Sequence, residues 1–200
     1  MDPEFERLVV ASDAFLAIRR KHPGDVHADW RWRNDPVTAR FDGAEPVSGS
    51  FAEFAAQHQA QVAAPDPNRQ QFSLVLPDGT HFGNVMFYNV SPALDQAELG
   101  ISIGESSCRD RGLGTAAMVL FVRFLFETRP FRRLVLHTFD WNHRAFACFE
   151  HAGFAATGDV VYREGGNKLL RMVARREWWL MRDEQGGYAP DRRRREPSQG

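Results

Sequence analysis

The sequence has little of what marks an extracellular, membrane-spanning or nucleic-acid-binding chain. It contains two cysteines, Cys108 and Cys148, which are too few for a disulfide framework and lack metal-ligand spacing, as in proteins of a reducing compartment. No apolar run approaches the roughly 20 residues that cross a bilayer, and the N-terminus has no signal-peptide core. The formal net charge of -1 gives no general attraction to nucleic acid or to an anionic membrane. We therefore expect a cytoplasmic protein without a metal, a nucleic-acid partner or a membrane partner.

The chain is long enough for one well-buried domain, with 200 residues of which 43% are hydrophobic. We place this domain at residues 15–180. Residues 1–14 are predicted to be an N-terminal lead that starts with a vector-derived Met-Asp-Pro-Glu-Phe. Residues 186–200 carry four consecutive arginines among proline, serine and glycine, and we predict a disordered tail there.

The most informative stretch is 108–115, Cys-Arg-Asp-Arg-Gly-Leu-Gly-Thr, followed by the apolar run 116–126. That run contains no helix breaker and is too long for an ordinary strand, so it predicts a helix whose first turn carries the two glycines. Such a first turn has unpaired N–H groups and leaves room for a close ligand, while Arg109 and Arg111 add guanidinium donors. The stretch therefore predicts an anion site, although by itself it equally fits a helix start after a polar loop.

The residues before this stretch predict a first strand at 15–20, helices at 26–33 and 51–62, and an irregular loop at 37–49 between the two helices.

Three consecutive β-type runs follow, at 71–76, 81–90 and 97–103. The first two are joined by Pro77-Asp78-Gly79-Thr80, a strong hairpin signal, so we predict an antiparallel meander. In the third run Glu98 shares a face with two small residues, which suits the wall of a cleft.

The remaining sequence predicts a covered strand at 132–138, parallel to the strand that precedes the central helix. Asn142 is predicted to cap a helix that ends at Ala152. A last hairpin is predicted from two strands and a glycine-rich turn, at 154–163, 169–174 and 164–167.

The order of these elements and several motifs resemble the GNAT superfamily of acetyl-CoA-dependent N-acetyltransferases. The superfamily signature stands here as Arg109-x-x-Gly112-x-Gly114, and its second block is similar to Asn142-His143-Arg144-Ala145 followed by Phe149-Glu150-His151-Ala152-Gly153-Phe154. Trp32-Arg33-Asn34-Asp35-Pro36 and Arg175-Arg176-Glu177-Trp178 are similar to the branch of ribosomal-protein and amino-sugar acetyltransferases. The resemblance covers about residues 16–178. It implies an α/β (α+β) fold with a mixed, largely antiparallel central sheet of six to seven strands and helices on both faces.

The resemblance also implies that acetyl-CoA is the cosubstrate. The residues that would bind its pyrophosphate are Arg109, Arg111, Gly112, Leu113, Gly114 and Thr115. Those that would contact its pantetheine arm are Ile101, Ser102, Ile103, Asn142, Ala145 and Phe149. The acceptor would contact Trp32, Arg33 and Asn34, with core packing as the alternative for the tryptophan.

Acetyl transfer needs a neutral amine, a donor for the developing oxyanion and a proton for the departing thiolate. The resemblance favours Glu98 as the base, acting directly or through a water, with His137 as the second candidate. The alternative for His137 is a structural role, on the face of a strand or in the core. The family's usual tyrosine acid is replaced by Phe149, so Tyr88 on the meander is the phenol to test first. Backbone N–H groups near 101–103 would be the oxyanion donors.

Two other functions fit parts of the sequence. A CoA-binding regulatory module without turnover is possible because Phe149 has no proton to give. A dinucleotide-dependent oxidoreductase is less favoured, because Gly112-x-Gly114-x-x-Ala117 fits the permissive fingerprint but does not directly follow a strand. The acceptor stays open between a protein N-terminus, an amino-sugar nucleotide and a small amine, and we expect a monomer or a homodimer.

Overall fold

The computed structural model describes residues 6–43, 47–162 and 166–188. The strands are β1 (Val9–Ser12), β2 (Ala17–Arg20), β3 (Gln70–Val75), β4 (His81–Ser91), β5 (Gln96–Ile103), β6 (Arg133–Phe139), β7 (Ala155–Tyr162) and β8 (Lys168–Arg175). The α-helices are α1 (Val26–Arg33), α2 (Pro36–Asp42), α3 (Phe51–Ala63), α4 (Leu113–Thr128), α5 (His143–His151) and α6 (Arg176–Glu184). The predicted vector remnant, the four arginines of the predicted tail and half of the predicted turn at 164–167 lie outside the described residues.

Within the described residues the strands form one eight-stranded sheet in the order β1-β2-β3-β4-β5-β6-β8-β7. Every neighbouring pair is antiparallel except β5 and β6, which α4 connects as a crossover. The predicted mixed, largely antiparallel sheet is confirmed. The strand number exceeds the predicted six to seven, because Val9–Ser12 pairs with β2 and adds an edge strand.

This topology does not support the oxidoreductase alternative. A doubly wound dinucleotide fold needs consecutive parallel strands. In the described part of the chain only β5 and β6 run parallel, and a short 3₁₀ turn at Ser106–Cys108 separates β5 from the glycine motif.

Helix α4 is the central element of the core because it is apolar on nearly every side. Its buried side chains include Met118, Phe121, Leu125 and Phe126, and it packs against β1, β2, β4 and β5. Burying each side chain of this size stabilises the fold by about 1.5–3 kcal/mol. The helix start is therefore held firmly at the end of β5.

The opposite face of the sheet carries α1, α2 and α3. Asn84, which lies opposite Ser102 in the β4–β5 ladder, donates a hydrogen bond of 2.8 Å from Nδ2 to Asp29 Oδ1 on α1. Asp29 also accepts Lys21 Nζ at 2.6 Å and contacts His58 Nε2 of α3 at 3.2 Å. Helices therefore cover both faces, as the resemblance implied, and buried polar contacts hold this second layer.

The predicted loop at 37–49 is wrong in its first half, where α2 lies. Asp35 caps this helix by accepting hydrogen bonds of 3.2 Å from the backbone N–H groups of Val37 and Thr38. Pro36 stands at the first helical position, and Gly43, with φ 63°, ends the helix in the left-handed region. Gly43, one of the residues that indicated a loop in the sequence, is here the stop signal of a short helix, and Pro36 is its start signal.

No helix among residues 6–43, 47–162 and 166–188 is both long and apolar enough to cross a membrane.

Candidate active site

Strands β5 and β6 separate in the middle of the sheet. Among the described residues their pairing is confined to Gln96–Arg133, Ala97–Leu134 and Glu98–Val135, although both strands continue for several residues. The far side of β5 stays paired with β4 as far as Ile103. We call the gap between 99–103 of β5 and 136–139 of β6 the wedge. Backbone groups of β5 that face the wedge are available to an extended ligand.

The wedge opens into a cleft of about 2170 Å³. The sequence-predicted residues that line this cleft are Tyr88, Glu98, His137, Ile101, Ser102, Ile103, Arg109, Arg111, Gly112, Leu113, Gly114, Thr115, Asn142, Ala145, Phe149, Trp32 and Arg33. Asn34 is not among them, because its Nδ2 donates to the Trp30 carbonyl at 2.8 Å and closes α1.

The N-terminus of α4 forms one wall of the cleft. Gly112 precedes the helix with φ 75°, a conformation that favours glycine, and a Cβ there would meet nothing within 4 Å. No side chain among the described residues caps this helix, and its first residues line the cleft, so its first N–H groups are available to a ligand there. This is the geometry expected of an anion site.

The two arginines of the motif are placed differently. Arg109 donates from Nε to the Ile103 carbonyl and from Nη2 to the Gly104 carbonyl, both at 3.0 Å, and Nη2 also donates to Thr38 Oγ1 at 2.9 Å. Its guanidinium therefore ties the end of β5 to α2. Arg111 is exposed at the mouth of the cleft, where an anion could reach it.

Helix α5 forms the wall opposite α4. Asn142 caps it as predicted, since its side-chain oxygen accepts the Ala145 N–H at 3.2 Å. Phe149 is buried and packs edge-on against Phe154 with ring centroids 6.3 Å apart. Burial raises the pKa of the nearby Cys148 thiol and outweighs a hydrogen bond with Thr115, so this thiol is not an activated nucleophile.

The three predicted acid–base candidates meet at the narrow end of the wedge. Glu98 Oε1 accepts hydrogen bonds from Tyr88 Oη at 3.0 Å and from His137 Nδ1 at 2.8 Å. Glu98 Oε2 accepts a third from Asn89 Nδ2 at 3.0 Å. We call these four residues the Glu98 cluster. Burial alone would raise the pKa of Glu98, but the hydrogen bonds from His137, Asn89 and Tyr88 outweigh it and leave the pKa below its usual value.

Asn89 is a residue that the sequence analysis missed. It has φ 49° and lies where the β4–β5 register shifts between Tyr88 and Ser91. Bulges of this kind re-aim side chains beside active sites, and asparagine tolerates the left-handed conformation better than most residues. The signal that could have found it is an asparagine near the end of a strand, shortly before Ser91-Pro92.

The third wall is formed by α1, α2 and α3. Trp32 is only 5% exposed, and a Cβ at Gly104 would overlap its ring, so this tryptophan also has the packing role that was the alternative. Asp42, a further residue missed in the sequence, faces the cleft from α2. Asp42 is exposed at the rim of the cleft, and crowding by the surrounding protein raises its pKa to about 6, despite interactions with Ser102, Arg33 and Arg109 that lower it.

Comparisons with known proteins agree with this architecture. The chain is similar to the spermidine N-acetyltransferase of Vibrio cholerae in complex with CoA and spermine, with a TM-score of 0.76 and 19% identity over 84% of this chain and 99% of that one. It is also similar to a GNAT-family acetyltransferase of Bacillus anthracis, with a TM-score of 0.69 and 14% identity over 84% and 99% of the two chains. At these identities the likeness establishes the fold. A search of curated proteins finds no match.

A family model described as an acetyltransferase (GNAT) domain matches residues 16–155, well over half of the chain. The match includes the wedge, the glycine motif at the start of α4 and the Glu98 cluster. The chain therefore belongs to the GNAT family of acetyltransferases.

Proposed function

We propose that this enzyme transfers the acetyl group of acetyl-CoA to a primary amine by direct attack within a ternary complex. The observation that carries the proposal is the wedge, because it connects the uncapped N-terminus of α4 with the Glu98 cluster in one continuous cleft. An anion-binding end and a proton-transfer end in one cleft are what an acyl-CoA and an amine require.

The cosubstrate fits the wedge from the α4 side. The backbone N–H groups of 112–115 and the exposed Arg111 would hold its pyrophosphate. Its pantetheine arm would pair with the open edge of β5 at 101–103, between Ala145 and Phe149 on α5 and the start of α4. A free backbone N–H on that edge would then be the donor for the oxyanion.

The acceptor would enter from the side of α1, α2 and α3. Arg33 and Arg109 act on the Asp42 carboxylate in this part of the cleft. In the described part of the chain, by contrast, the hydrogen-bond partners of Glu98 include no guanidinium. The Glu98 carboxylate therefore favours an acceptor that carries positive charge. The similar Vibrio cholerae enzyme was crystallised with CoA and spermine, which also supports a small amine over an anionic amino-sugar nucleotide. We therefore infer a small cationic amine as the acceptor.

Binding and turnover can be tested separately. We expect acetyl-CoA to raise the melting temperature of the protein and NAD to leave it unchanged. Thiol release should then be measured with spermidine, a simple monoamine, an amino-sugar nucleotide and a peptide with a free N-terminus, and the product masses should show addition of one acetyl group. The proposal would be refuted if acetyl-CoA and NAD raised the melting temperature equally, or if neither compound raised it.

A CoA-binding module without turnover is the second candidate, because Phe149 places a phenyl ring where the family commonly has a phenol. Stabilisation by acetyl-CoA without thiol release from any amine would support this candidate. The Glu98 cluster favours an enzyme that turns over, because binding of CoA alone does not require three side chains that donate hydrogen bonds to one carboxylate.

A further inference from the structure

The hydrogen bonds of Glu98 and His137 suggest different roles for the two side chains. We propose that His137 Nε2 takes the proton from the attacking amine and that Glu98 is a positioning residue, which holds the imidazole in the required tautomer. This inference rests on the proposed acetyl transfer. It differs from the expectation drawn from the sequence, in which Glu98 was the favoured base.

The tautomer of His137 follows from its partner. The lowered pKa of Glu98 means that its carboxylate is ionised near neutral pH. An ionised carboxylate only accepts hydrogen bonds, so the contact of 2.8 Å requires a proton on His137 Nδ1. In a neutral imidazole Nε2 is then the nitrogen with the free lone pair.

Glu98 itself is poorly suited to remove a proton. Both of its oxygens already accept hydrogen bonds, two on Oε1 and one on Oε2. Every donor that stabilises the carboxylate weakens its affinity for a proton.

His137 Nε2, in contrast, has no hydrogen-bond partner among residues 6–43, 47–162 and 166–188. The side chain is 22% exposed and lines the cleft. Imidazole is also the side chain whose ordinary titration range suits proton transfer near pH 7.

The position of the ring matches the place where the chemistry would occur. His137 lies two residues beyond Val135, the last residue of β6 that pairs with β5, so its contact with Glu98 crosses the wedge at the narrow end. A pantetheine arm along 101–103 would deliver its thioester toward this end. On the other side of β6, Arg171 of β8 lies opposite His137 and pairs with Asp159 of β7 at 3.2 Å.

The imidazole ring of His137 can carry out both proton transfers of the proposed reaction. As the amine nitrogen forms a bond to the thioester carbonyl carbon, His137 Nε2 takes a proton from that nitrogen. When the carbon–sulfur bond breaks, the imidazolium returns the proton to the sulfur. The products are the amide and the CoA thiol, and the imidazole is neutral again. Because the same ring acts as base and then as acid, no phenol is needed at Phe149, and the Glu98 carboxylate stabilises the transient imidazolium.

Kinetics of three variants test the assignment. His137→Gln should lower kcat at saturating acetyl-CoA by about 10²- to 10⁴-fold with an unchanged KM for acetyl-CoA. Added imidazole should restore part of the turnover of His137→Ala. Glu98→Gln should lower kcat less than His137→Gln, because the glutamine carbonyl can still accept a hydrogen bond from Nδ1. The acid limb of the pH profile of Glu98→Gln should move to lower pH. The control is His27→Gln, an exposed residue of α1 outside the cleft, which should retain wild-type kinetics.

The ring nitrogens provide a readout that does not need turnover. Nitrogen NMR of the wild-type enzyme should show His137 protonated at Nδ1 when neutral, and Glu98→Ala should shift protons toward Nε2. A His137→Gln variant with wild-type kcat, or a wild-type ring protonated at Nε2, would overturn the inference. Absence of acetyl transfer by the wild-type enzyme would instead refute the proposed function.

Discussion

The buried ion pair between Arg19 and Asp25 gives the sharpest prediction about stability. Both side chains are at most 4% exposed. Asp25 Oδ1 accepts Arg19 Nη2 at 2.6 Å, and Oδ2 accepts Arg19 Nη1 at 2.8 Å, Ser73 Oγ at 2.8 Å and the His22 N–H at 2.9 Å. Asp25→Asn keeps the shape of the side chain but removes the carboxylate charge that faces the buried Arg19 guanidinium.

The expected loss follows from the cost of breaking a buried ion pair. Breaking such a pair costs about 3–5 kcal/mol, and we expect about 3 kcal/mol because Asp29 lies close enough to Lys21 to keep part of the network neutral. For a protein of this size this corresponds to a fall in Tm of roughly 6–12 °C. Urea unfolding monitored by circular dichroism would measure it. The matched control is Arg132→Gln, whose contact with Asp95 is exposed and should change stability by less than about 1 kcal/mol.

The pH dependence checks the same reasoning independently. Burial raises the pKa of the Asp25 carboxyl, but its bonds with Arg19 and the charges of Lys21 and His81 outweigh that effect, so the folded pKa lies well below the ordinary 3.8. A depressed carboxyl pKa contributes stability above the unfolded pKa, and this contribution is lost as pH falls below about 4 toward the folded pKa. Wild type and Asp25→Asn should therefore converge at low pH. A stability gap below 1 kcal/mol at pH 7, or one that widens on acidification, would refute the reasoning.

Two glycine substitutions separate packing from ligand binding. Gly104→Ala should destabilise the protein by about 1–3 kcal/mol, because the new Cβ overlaps the Trp32 ring, and chemical denaturation would show it; an unchanged unfolding midpoint would contradict the packing. Gly112→Ala meets no atom within 4 Å but strains a residue at φ 75°, so about 1–2 kcal/mol is expected, together with weaker acetyl-CoA binding by calorimetry. Gly79→Ala, at φ 91° in an exposed turn, should show a similar strain with unchanged affinity, and equal affinities in both variants would argue against an anion site at Gly112.

Features of the sequence that act locally were predictable. The capping box of α3 is present, with the Ser50 N–H donating to Glu53 Oε2 at 2.8 Å and the Glu53 N–H donating to Ser50 Oγ at 3.3 Å. The Asn142 cap and the start of α4 after Gly112 also depend on contacts within a few residues. The clustering of Glu98, Tyr88 and His137 is different, because the resemblance supplied the glutamate while the sequence could not show that all three side chains meet.

Features that depend on distant partners were missed. Strand β1 has only four residues, too few for an alternating pattern, and it is fixed by pairing with β2. No local pattern in the sequence predicts the wedge, because nothing in residues 99–103 indicates whether β6 pairs with them. The polar network under α1 joins residues that are far apart in sequence, such as Asn84 and Asp29.

That network connects the stability of the fold with the shape of the acceptor side. Lys21 Nζ donates to Asn84 Oδ1 at 3.0 Å, while Asn84 Nδ2 donates to Asp29, so the Asn84 amide is one of the contacts that anchor α1 to the sheet. Helix α1 also carries Trp32 and Arg33 into the cleft wall. The cosubstrate side depends on a different set of contacts, mainly the packing of α4. Weakening the network at Asp25 should therefore raise the KM of the amine before it changes the affinity for acetyl-CoA, because the network contacts α1 directly and reaches β5 only through the pairing of Asn84 with Ser102.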